Sequence, residues 1–135
     1  MSGLCRIGVA IDGDLLDQFD ALLARQGYPN RSEAFRDLIR DALVREQVSD
    51  PESESVGTLT LVYDHHVRQL ADKLTDLQHD HYREIISTLH VHMDHDNCLE
   101  VLVLRGRAGA IQQIADRLIS TKGVKHGRLT LTSVD

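Results

Sequence analysis

The apolar positions of the first half of the chain follow two successive periods. Every second residue is apolar from Ile7 to Ile11, which predicts a short strand with one buried face. Helical spacing follows at Leu15, Leu16, Phe19, Leu22 and Leu23, and again at Phe35, Leu38, Ile39, Ala42 and Leu43. Gly27 supplies a C-terminal stop for the first helix, and Asn30 with Glu33 three residues later supplies a capping signal for the second. The first half is therefore predicted as a strand followed by two helices.

The second half alternates strand and helix patterns in the order βαββαβ. The predicted elements are a strand over 58–63, a helix over 65–78, two hairpin strands flanking the polar run 94–97, a helix over 111–119 and a strand over 128–132. This order is typical of a ferredoxin-like α+β sandwich. Residues 48–57 are polar, contain a proline and show no period. The expected organisation is a first domain over 1–49, a linker over 50–57 and a second domain over 58–135.

The predicted hairpin carries the most distinctive side chains of the chain. His90 and His92 are two residues apart, so in a strand both imidazoles lie on one face. A turn within the polar run places His92 opposite Cys98 and His90 opposite Glu100, on that same face. The other face is predicted to be buried and to fix the register; it carries Leu89, Val91, Leu99, Val101 and Val103.

Two neutral imidazoles and a thiolate at this spacing predict a transition-metal site. The pattern leaves Zn(II), Cu(II) and Ni(II) open, since all three accept imidazole and thiolate and differ in preferred geometry. At least one coordination position of the ion remains for water, substrate or another residue. His79, just past the predicted helix, and His81 behind it are candidates between which spacing does not choose. His65 and His66 open the predicted helix and are expected to be solvent-exposed.

Composition narrows the class of protein. With 135 residues, 41% of them apolar and 4% aromatic, the chain fits one ordinary or two small domains with aliphatic cores. The N-terminus has neither signal-peptide nor membrane-spanning character, so a cytoplasmic protein is expected. Cys5 is expected to be inert and Cys98 to be a free ligand thiolate. The net charge of −6 argues against general polyanion binding, so any DNA contact must depend on local geometry.

The first fifty residues cannot bury an adequate core alone, and an isolated strand leaves its backbone groups unpaired. Pairing with a second copy solves both problems, and the resulting two-stranded ribbon fits a DNA major groove. This part of the chain resembles the ribbon-helix-helix DNA-binding proteins. The resemblance is carried by the predicted strand, by the run D-G-D-L-L and by the run G-Y-P-N-R-S-E-A-F-R-D-L-I-R. The resemblance implies base readout by Arg6, Gly8 and Ala10, and a phosphate clamp at the helix start formed by Asn30, Arg31 and Ser32. Gly8 and Ala10 lack hydrogen-bonding side chains, which leaves most polar readout to Arg6.

A ribbon-helix-helix domain followed by a βαββαβ domain with H-x-H-(x5)-C resembles the nickel-responsive regulators of the NikR type. The similarity is carried by residues 28–40, Gln78-His79, 88–100 and 123–127. It implies an α+β protein with an ACT-like second domain that forms a homotetramer, a dimer of dimers. It also implies square-planar Ni(2+) held by His90, His92 and Cys98 of one chain and His79 of a neighbouring chain. Glu33 and Asp37 would bind a second cation, K(+), between the domains.

The resemblance further implies a regulator rather than an enzyme, which binds a palindromic double-stranded operator and represses nickel-uptake genes when nickel is plentiful. Three alternatives remain at this point. A metal-dependent hydrolase would use an open ligand position with Glu100 as general base. A metal-free ACT regulator would sense an amino acid, and an antitoxin would need a disordered tail where this chain shows folded periodicity.

Overall fold

The structure is a computed structural model that describes residues 3–133. It contains α1 (Gly13–Gln26), α2 (Arg31–Val48), β1 (Glu54–Asp64), α3 (Leu70–Asp80), β2 (Ile85–His92), β3 (Asn97–Arg107), α4 (Ala108–Ile119) and β4 (Val124–Ser133). Two compact units divide between Ala42 and Leu43. None of the helices in the described part of the chain is long and apolar enough to cross a membrane.

The first unit contains α1 and most of α2, the two helices that the apolar spacing predicts, and α2 continues past the division to Val48. α1 ends at Gly27, whose φ of 83° is one that glycine adopts without the steric penalty of a side chain. The Asn30 side-chain oxygen accepts a hydrogen bond of 2.9 Å from the Glu33 N–H and so caps α2. Phe19 of α1 stacks on Phe35 of α2 with ring centroids 5.3 Å apart. Capping and stacking together fix where each helix begins and ends and which faces meet.

The segment before α1 lies outside helix and strand. Residues 3–12 form no ladder within this one chain, because the predicted strand over 7–11 has no neighbour to exchange backbone hydrogen bonds with. Ile7 is 80% and Val9 62% exposed. Within the described part of the first unit, the buried apolar residues are Leu23 and Ala34 alone. Exposed apolar side chains remain at Leu15, Leu22, Leu38 and Ile39. The first unit thus has apolar surface left to bury against another molecule.

The second unit is an antiparallel four-stranded sheet in the order β2-β3-β1-β4. One face packs on α3 and α4 around a single apolar cluster: Leu59, Leu61, Tyr63, Leu70, Leu74, Cys98, Leu102, Leu104, Ile111, Ile114, Ala115 and Leu118. This arrangement confirms the α+β fold class with a ferredoxin-like second half.

The strand β1 begins at Glu54, four residues before the predicted start at Thr58. The segment just before it is also bound to the second unit. The carbonyl of Ser53 accepts a 2.9 Å hydrogen bond from the Ala108 N–H, and that of Pro51 accepts one of 2.9 Å from the Gly109 N–H. Part of the segment predicted as a linker is therefore attached to this unit. Side-chain periodicity did not indicate this, because the attachment is made by backbone groups.

The helix α3 begins at Leu70 and not at His65, and it ends at Asp80 and not at Gln78. Residues 65–69 form turns instead, and Gln69 has a left-handed φ of 64°. The helical spacing of Val67 relative to Leu70 and Leu74 suggested a longer helix, although Val67 is 39% exposed. Because the helix begins only at Leu70, helical geometry does not set the directions of the His65 and His66 side chains.

Gly123, between α4 and β4, is expected to tolerate no side chain. Its φ is 104°, and an added Cβ would lie 2.8 Å from Cδ2 of Leu70. Gly123→Ala should lower the free energy of unfolding of the second unit by about 2–4 kcal/mol through backbone strain and overpacking. Urea denaturation followed by circular dichroism measures this. Gly13→Ala, where the new Cβ meets nothing within 4 Å, is the matched control and should change stability little.

Candidate metal centre and DNA-binding surface

The hairpin of β2 and β3 has the predicted register. His90 pairs with Glu100, and His92 pairs with Cys98. The turn between the strands is closed by Asp94, whose Oδ1 accepts hydrogen bonds from the backbone N–H groups of Asp96 (2.9 Å) and Asn97 (2.8 Å). These hydrogen bonds, first those from Asn97, lower the pKa of Asp94 below its ordinary value. The turn thus holds both strands in the alignment that brings the candidate ligands together.

The prediction of which hairpin face is buried is wrong. Leu89 is 61% and Val91 38% exposed, and Leu99, Val101 and Val103 on the same face are only partly buried. The helices cover the opposite face, where Cys98 and Glu100 lie. The physical reason is that β3 is apolar on both faces, since Leu102 and Leu104 accompany Cys98. Alternation alone could not decide which face meets the helices.

Cys98 lies at the centre of the candidate site. It is fully buried, with its Sγ 3.4 Å from Nδ1 of His92 and 3.5 Å from Nδ1 of His65. Donor atoms of these three residues lie within 4.8 Å of one another. Burial and the negative charge of Glu100 raise the pKa of the Cys98 thiol. A bound cation would supply the positive charge that stabilises the thiolate, so the thiol must lose its proton when an ion binds.

These separations fit a transition-metal ion. With an N–metal distance of about 2.0 Å and an S–metal distance of about 2.3 Å, two ligands of one ion lie about 3.0–3.5 Å apart. His92 and Cys98 meet this condition directly. Imidazole nitrogen and thiolate sulfur are ligands that Ni(II), Cu(II) and Zn(II) all accept. The residues present therefore fit the type of ion that the hairpin pattern predicts.

His65 is the ligand candidate that the sequence analysis missed. It was expected to be solvent-exposed, but it is partly buried and lies beside Cys98, with its ring centroid 5.8 Å from that of His92. A signal was present: Leu61, Tyr63 and His65 are spaced by two, so His65 continues the inward face of β1 just past its end. The predicted helix start at His65 hid this alternation.

His90 and His79 lie at different distances from this cluster. The His90 ring is 5.3 Å from that of His92 and makes an edge contact with the Tyr63 ring at 6.1 Å. His79 lies in the last turn of α3 and is exposed. Within the described residues of one chain, His79 belongs to none of the clusters of potential metal ligands. A single chain thus brings His65, His92 and Cys98 together and places the His90 ring beside that of His92, but both His90 and His79 lie outside the ligand clusters of the described residues.

Glu100 links the hairpin to the end of α3. Its side chain is 6% exposed, and its Oε1 accepts a 3.1 Å hydrogen bond from Nε2 of Gln78. The Gln78 amide oxygen in turn accepts a 3.3 Å hydrogen bond from the Thr88 hydroxyl. Burial, followed by the charge of Glu100, raises the pKa of Tyr63. Through its hydrogen bond with Thr88, Gln78, the residue before His79, is anchored directly to the strand that carries His90 and His92.

The candidate DNA-contacting residues lie on the surface of the first unit. Arg6, Gly8 and Ala10 are exposed. The guanidinium of Arg31 donates hydrogen bonds of 2.8 and 2.7 Å to the two carboxylate oxygens of Asp20, which lowers the pKa of Asp20. The Arg31 side chain therefore joins the start of α2 to α1. Asn30 caps the same helix start, and Ser32 follows there, exposed.

The two acids predicted to bind a second cation have partners in the first unit. Glu33 accepts a 2.7 Å hydrogen bond from Arg36. Asp37 accepts hydrogen bonds of 2.7 Å from the Tyr28 hydroxyl and 3.0 Å from Arg40. These contacts are local and exposed. Each of the two carboxylates therefore has a hydrogen-bond partner within this chain.

Comparisons with known proteins agree with both halves of this description. Residues 56–132 match the family described as "NikR C terminal nickel binding domain", and residues 6–46 match "Ribbon-helix-helix protein, copG family". A solved structure of an uncharacterized protein from Thermotoga maritima is similar in fold, with a TM-score of 0.50 and 15% identity over 62% of this chain and all of that one.

Relatives over nearly the full length carry one name, "Putative nickel-responsive regulator". The protein of Solibacter usitatus is 69% identical, that of Trichlorobacter lovleyi 59% and that of Geobacter metallireducens 58%, each over 98% of this chain and 96% of the relative. A ribbon-helix-helix match followed by a nickel-binding-domain match, in relatives named as regulators, places the chain among metal-responsive regulators. Within that class, this chain belongs to the NikR family of nickel-responsive regulators.

Proposed function

We propose that this protein binds a palindromic operator when Ni(2+) is bound and thereby represses nickel-uptake genes in the cytoplasm. The observation that supports this most strongly is the convergence of His92 and Cys98, 3.4 Å apart, in a chain that also carries a ribbon-helix-helix match. A regulator needs a ligand site and a DNA-binding surface in the same molecule. This chain provides candidates for both.

The nickel ligands in this proposal are His90, His92 and Cys98 of one subunit and His79 of a neighbouring subunit. His79 is suited to an intersubunit role because it is exposed and because Gln78 anchors its helix turn to Glu100. A ligand on His79 would thus tie the end of α3 to another subunit. His65 is close enough to Cys98 to serve as an alternative ligand within one chain.

The DNA contact in this proposal involves two copies of the segment before α1, paired as a ribbon in the major groove. Arg6 would provide polar base readout, with Ala10 limited to a thymine methyl contact and Gly8 allowing close approach. The phosphate clamp would use backbone N–H groups at the start of α2, around Ser32. The Arg31 guanidinium is hydrogen-bonded to Asp20. It would contact a DNA phosphate only if the phosphate displaced that carboxylate.

Assembly as a tetramer would cover the exposed apolar face of the hairpin. Leu89 and Val91 lie on this face, and they alternate with His90 and His92 along β2. If nickel binds one arrangement of the tetramer better than others, its differential affinity shifts the paired ribbons towards a spacing that fits two half-sites. A K(+) ion at Glu33 and Asp37 would have to compete with Arg36 and Arg40.

The proposal is tested by DNA selection and titration. Sheared genomic DNA from the source organism is incubated with the purified, tag-free protein with and without Ni(2+), and the retained fragments are sequenced. We expect nickel-dependent enrichment of fragments with inverted half-sites, and nickel should increase affinity for them more than copper, zinc or cobalt. Equal recovery with and without nickel, or no enriched fragment, would refute the proposal.

A further inference from the structure

Lys125, the second residue of β4, lies at an irregularity in the pairing of β4 with β1. Val62 of β1 pairs with His126. Tyr63, the next residue of β1, pairs with Val124. Lys125 is therefore an extra residue of β4 with no counterpart opposite it, which is the arrangement of a β-bulge. A bulge redirects the side chain that it carries, so the regular alternation of the strand does not set the direction of Lys125.

The Lys125 side chain reaches the hairpin that carries the candidate metal ligands. Its Nζ donates a hydrogen bond to Oδ1 of Asn97, the first residue of β3. Because the sheet order is β2-β3-β1-β4, this contact joins two strands that are not neighbours. Lys125 is exposed, whereas Asn97 is partly buried. The contact therefore ties the edge strand β4 to the end of the hairpin turn.

Asn97 also closes the hairpin turn. Its backbone N–H and its side-chain Nδ2 donate hydrogen bonds of 2.8 and 3.2 Å to Oδ1 of Asp94. Its carbonyl accepts a 3.0 Å hydrogen bond from the Met93 N–H. The candidate ligands His92 and Cys98 come immediately before Met93 and immediately after Asn97. A change in the orientation of Asn97 is therefore transmitted to both ligand candidates.

We propose that Lys125 is a positioning residue of the metal centre, which holds Asn97 and thereby sets the spacing of His92 and Cys98. This inference rests on the nickel site proposed above. The Asn97 amide is held at both ends, its Nδ2 by Asp94 and its Oδ1 by Lys125. An ammonium group can only donate hydrogen bonds and a carboxylate can only accept them, so the amide fits between them in one orientation. Without Lys125, the oxygen end of this amide loses its partner.

The expected consequence concerns which ion the centre prefers. Ni(II) accepts a square-planar set of donors, whereas Zn(II) takes a tetrahedral one. A turn held from both sides keeps the imidazole and the thiolate at one separation, and a loosened turn lets them adapt to either geometry. Groups that orient metal ligands are worth about 10–100-fold in affinity, and an exposed group such as Lys125 belongs at the lower end of that range. Loss of Lys125 should weaken nickel binding by about tenfold and zinc binding by less.

The test compares Lys125→Met with Lys125→Arg, which keeps a charged donor, and with Lys122→Met, which removes an exposed lysine three residues earlier. In the metal-free, tag-free protein, amide hydrogen exchange is measured over residues 93–98. Nickel and zinc affinities are then measured by competition with a chelator, and the thiolate absorption band is recorded. Lys125→Met should speed exchange in the turn, weaken nickel binding by about tenfold and alter the position or width of the band. The other two variants should match the wild type.

A double-mutant cycle shows whether Lys125 acts through the Asn97 amide. Asn97→Ala combined with Lys125→Met should weaken nickel binding no more than Asn97→Ala alone. Circular dichroism checks that each variant is folded. Unchanged exchange and nickel affinity in Lys125→Met, an equal loss in Lys122→Met, or additive losses in the cycle would overturn the inference. If the wild type shows no thiolate band, the proposed nickel centre fails as well, whereas a band that does not respond to Lys125→Met refutes the role of Lys125 alone.

Discussion

Cys98→Ser is expected to abolish the thiolate-to-nickel absorption band and to weaken nickel binding by more than about a hundredfold. Loss of a group that merely orients a metal ligand already costs about 10–100-fold, and Cys98 is a candidate for direct coordination. The substituted hydroxyl is a much harder donor and does not form a thiolate-like anion at neutral pH. Nickel affinity is measured by competition with a chelator, and the band is followed by absorption spectroscopy.

Cys5→Ser is the matched control for this experiment. Cys5 is exposed, lies in the segment before α1 and belongs to none of the ligand clusters in the described residues. Its replacement should leave both the band and the nickel affinity unchanged. If the band disappeared with Cys5 and persisted without Cys98, the metal centre described above would be assigned to the wrong cysteine.

His79→Ala is expected to separate nickel binding from DNA binding. His90, His92 and Cys98 remain in place, so a nickel site with a thiolate band should persist. The proposed link between α3 and a neighbouring subunit should be lost, and with it the proposed increase in operator affinity on nickel binding. An allosteric coupling of this kind typically amounts to about 5–150-fold in affinity. Fluorescence anisotropy of a selected operator, with and without nickel, measures the coupling directly.

His81→Ala distinguishes His79 from the other histidine in this region. His81 lies just past the end of α3, and sequence spacing alone did not choose between the two. The His81 variant should retain the full nickel effect on operator affinity. Should coupling survive without His79 and vanish without His81, the fourth ligand is His81, and the proposed ligand set is wrong at that position.

The hairpin shows how far sequence reasoning reaches. The spacing of His90, His92 and Cys98, together with a polar turn, was enough to predict their register. Which face meets the helices was not predictable, because β3 presents apolar side chains on both. The choice depends on packing with α3 and α4, which involves residues distant along the chain. Local periodicity carries no information about that packing.

The missed role of His65 has a related cause. Apolar residues at Val67, Leu70 and Leu74 fit a helix, and the same spacing predicts that it begins at His65. In the structure a turn intervenes, so His65 keeps the inward direction of β1. At the boundary between two elements, a strand period and a helix period can fit the same residues. His65 lies at such a boundary, between β1 and α3. The segment over 7–11 differs again, because it has no strand beside it within one chain, and the proposed pairing needs a second copy.

The edge strand β2 has a consequence for how this protein can change over evolution. Its alternate residues lie on opposite faces of the sheet: His90 and His92 are on the face of the buried thiol, while Leu89 and Val91 are exposed on the reverse face. One backbone positions both sets, so any displacement of the strand moves them in concert. If subunits associate through Leu89 and Val91 as proposed above, a substitution that shifts β2 at that contact also displaces His90 and His92, so subunit association and metal preference are expected to change together.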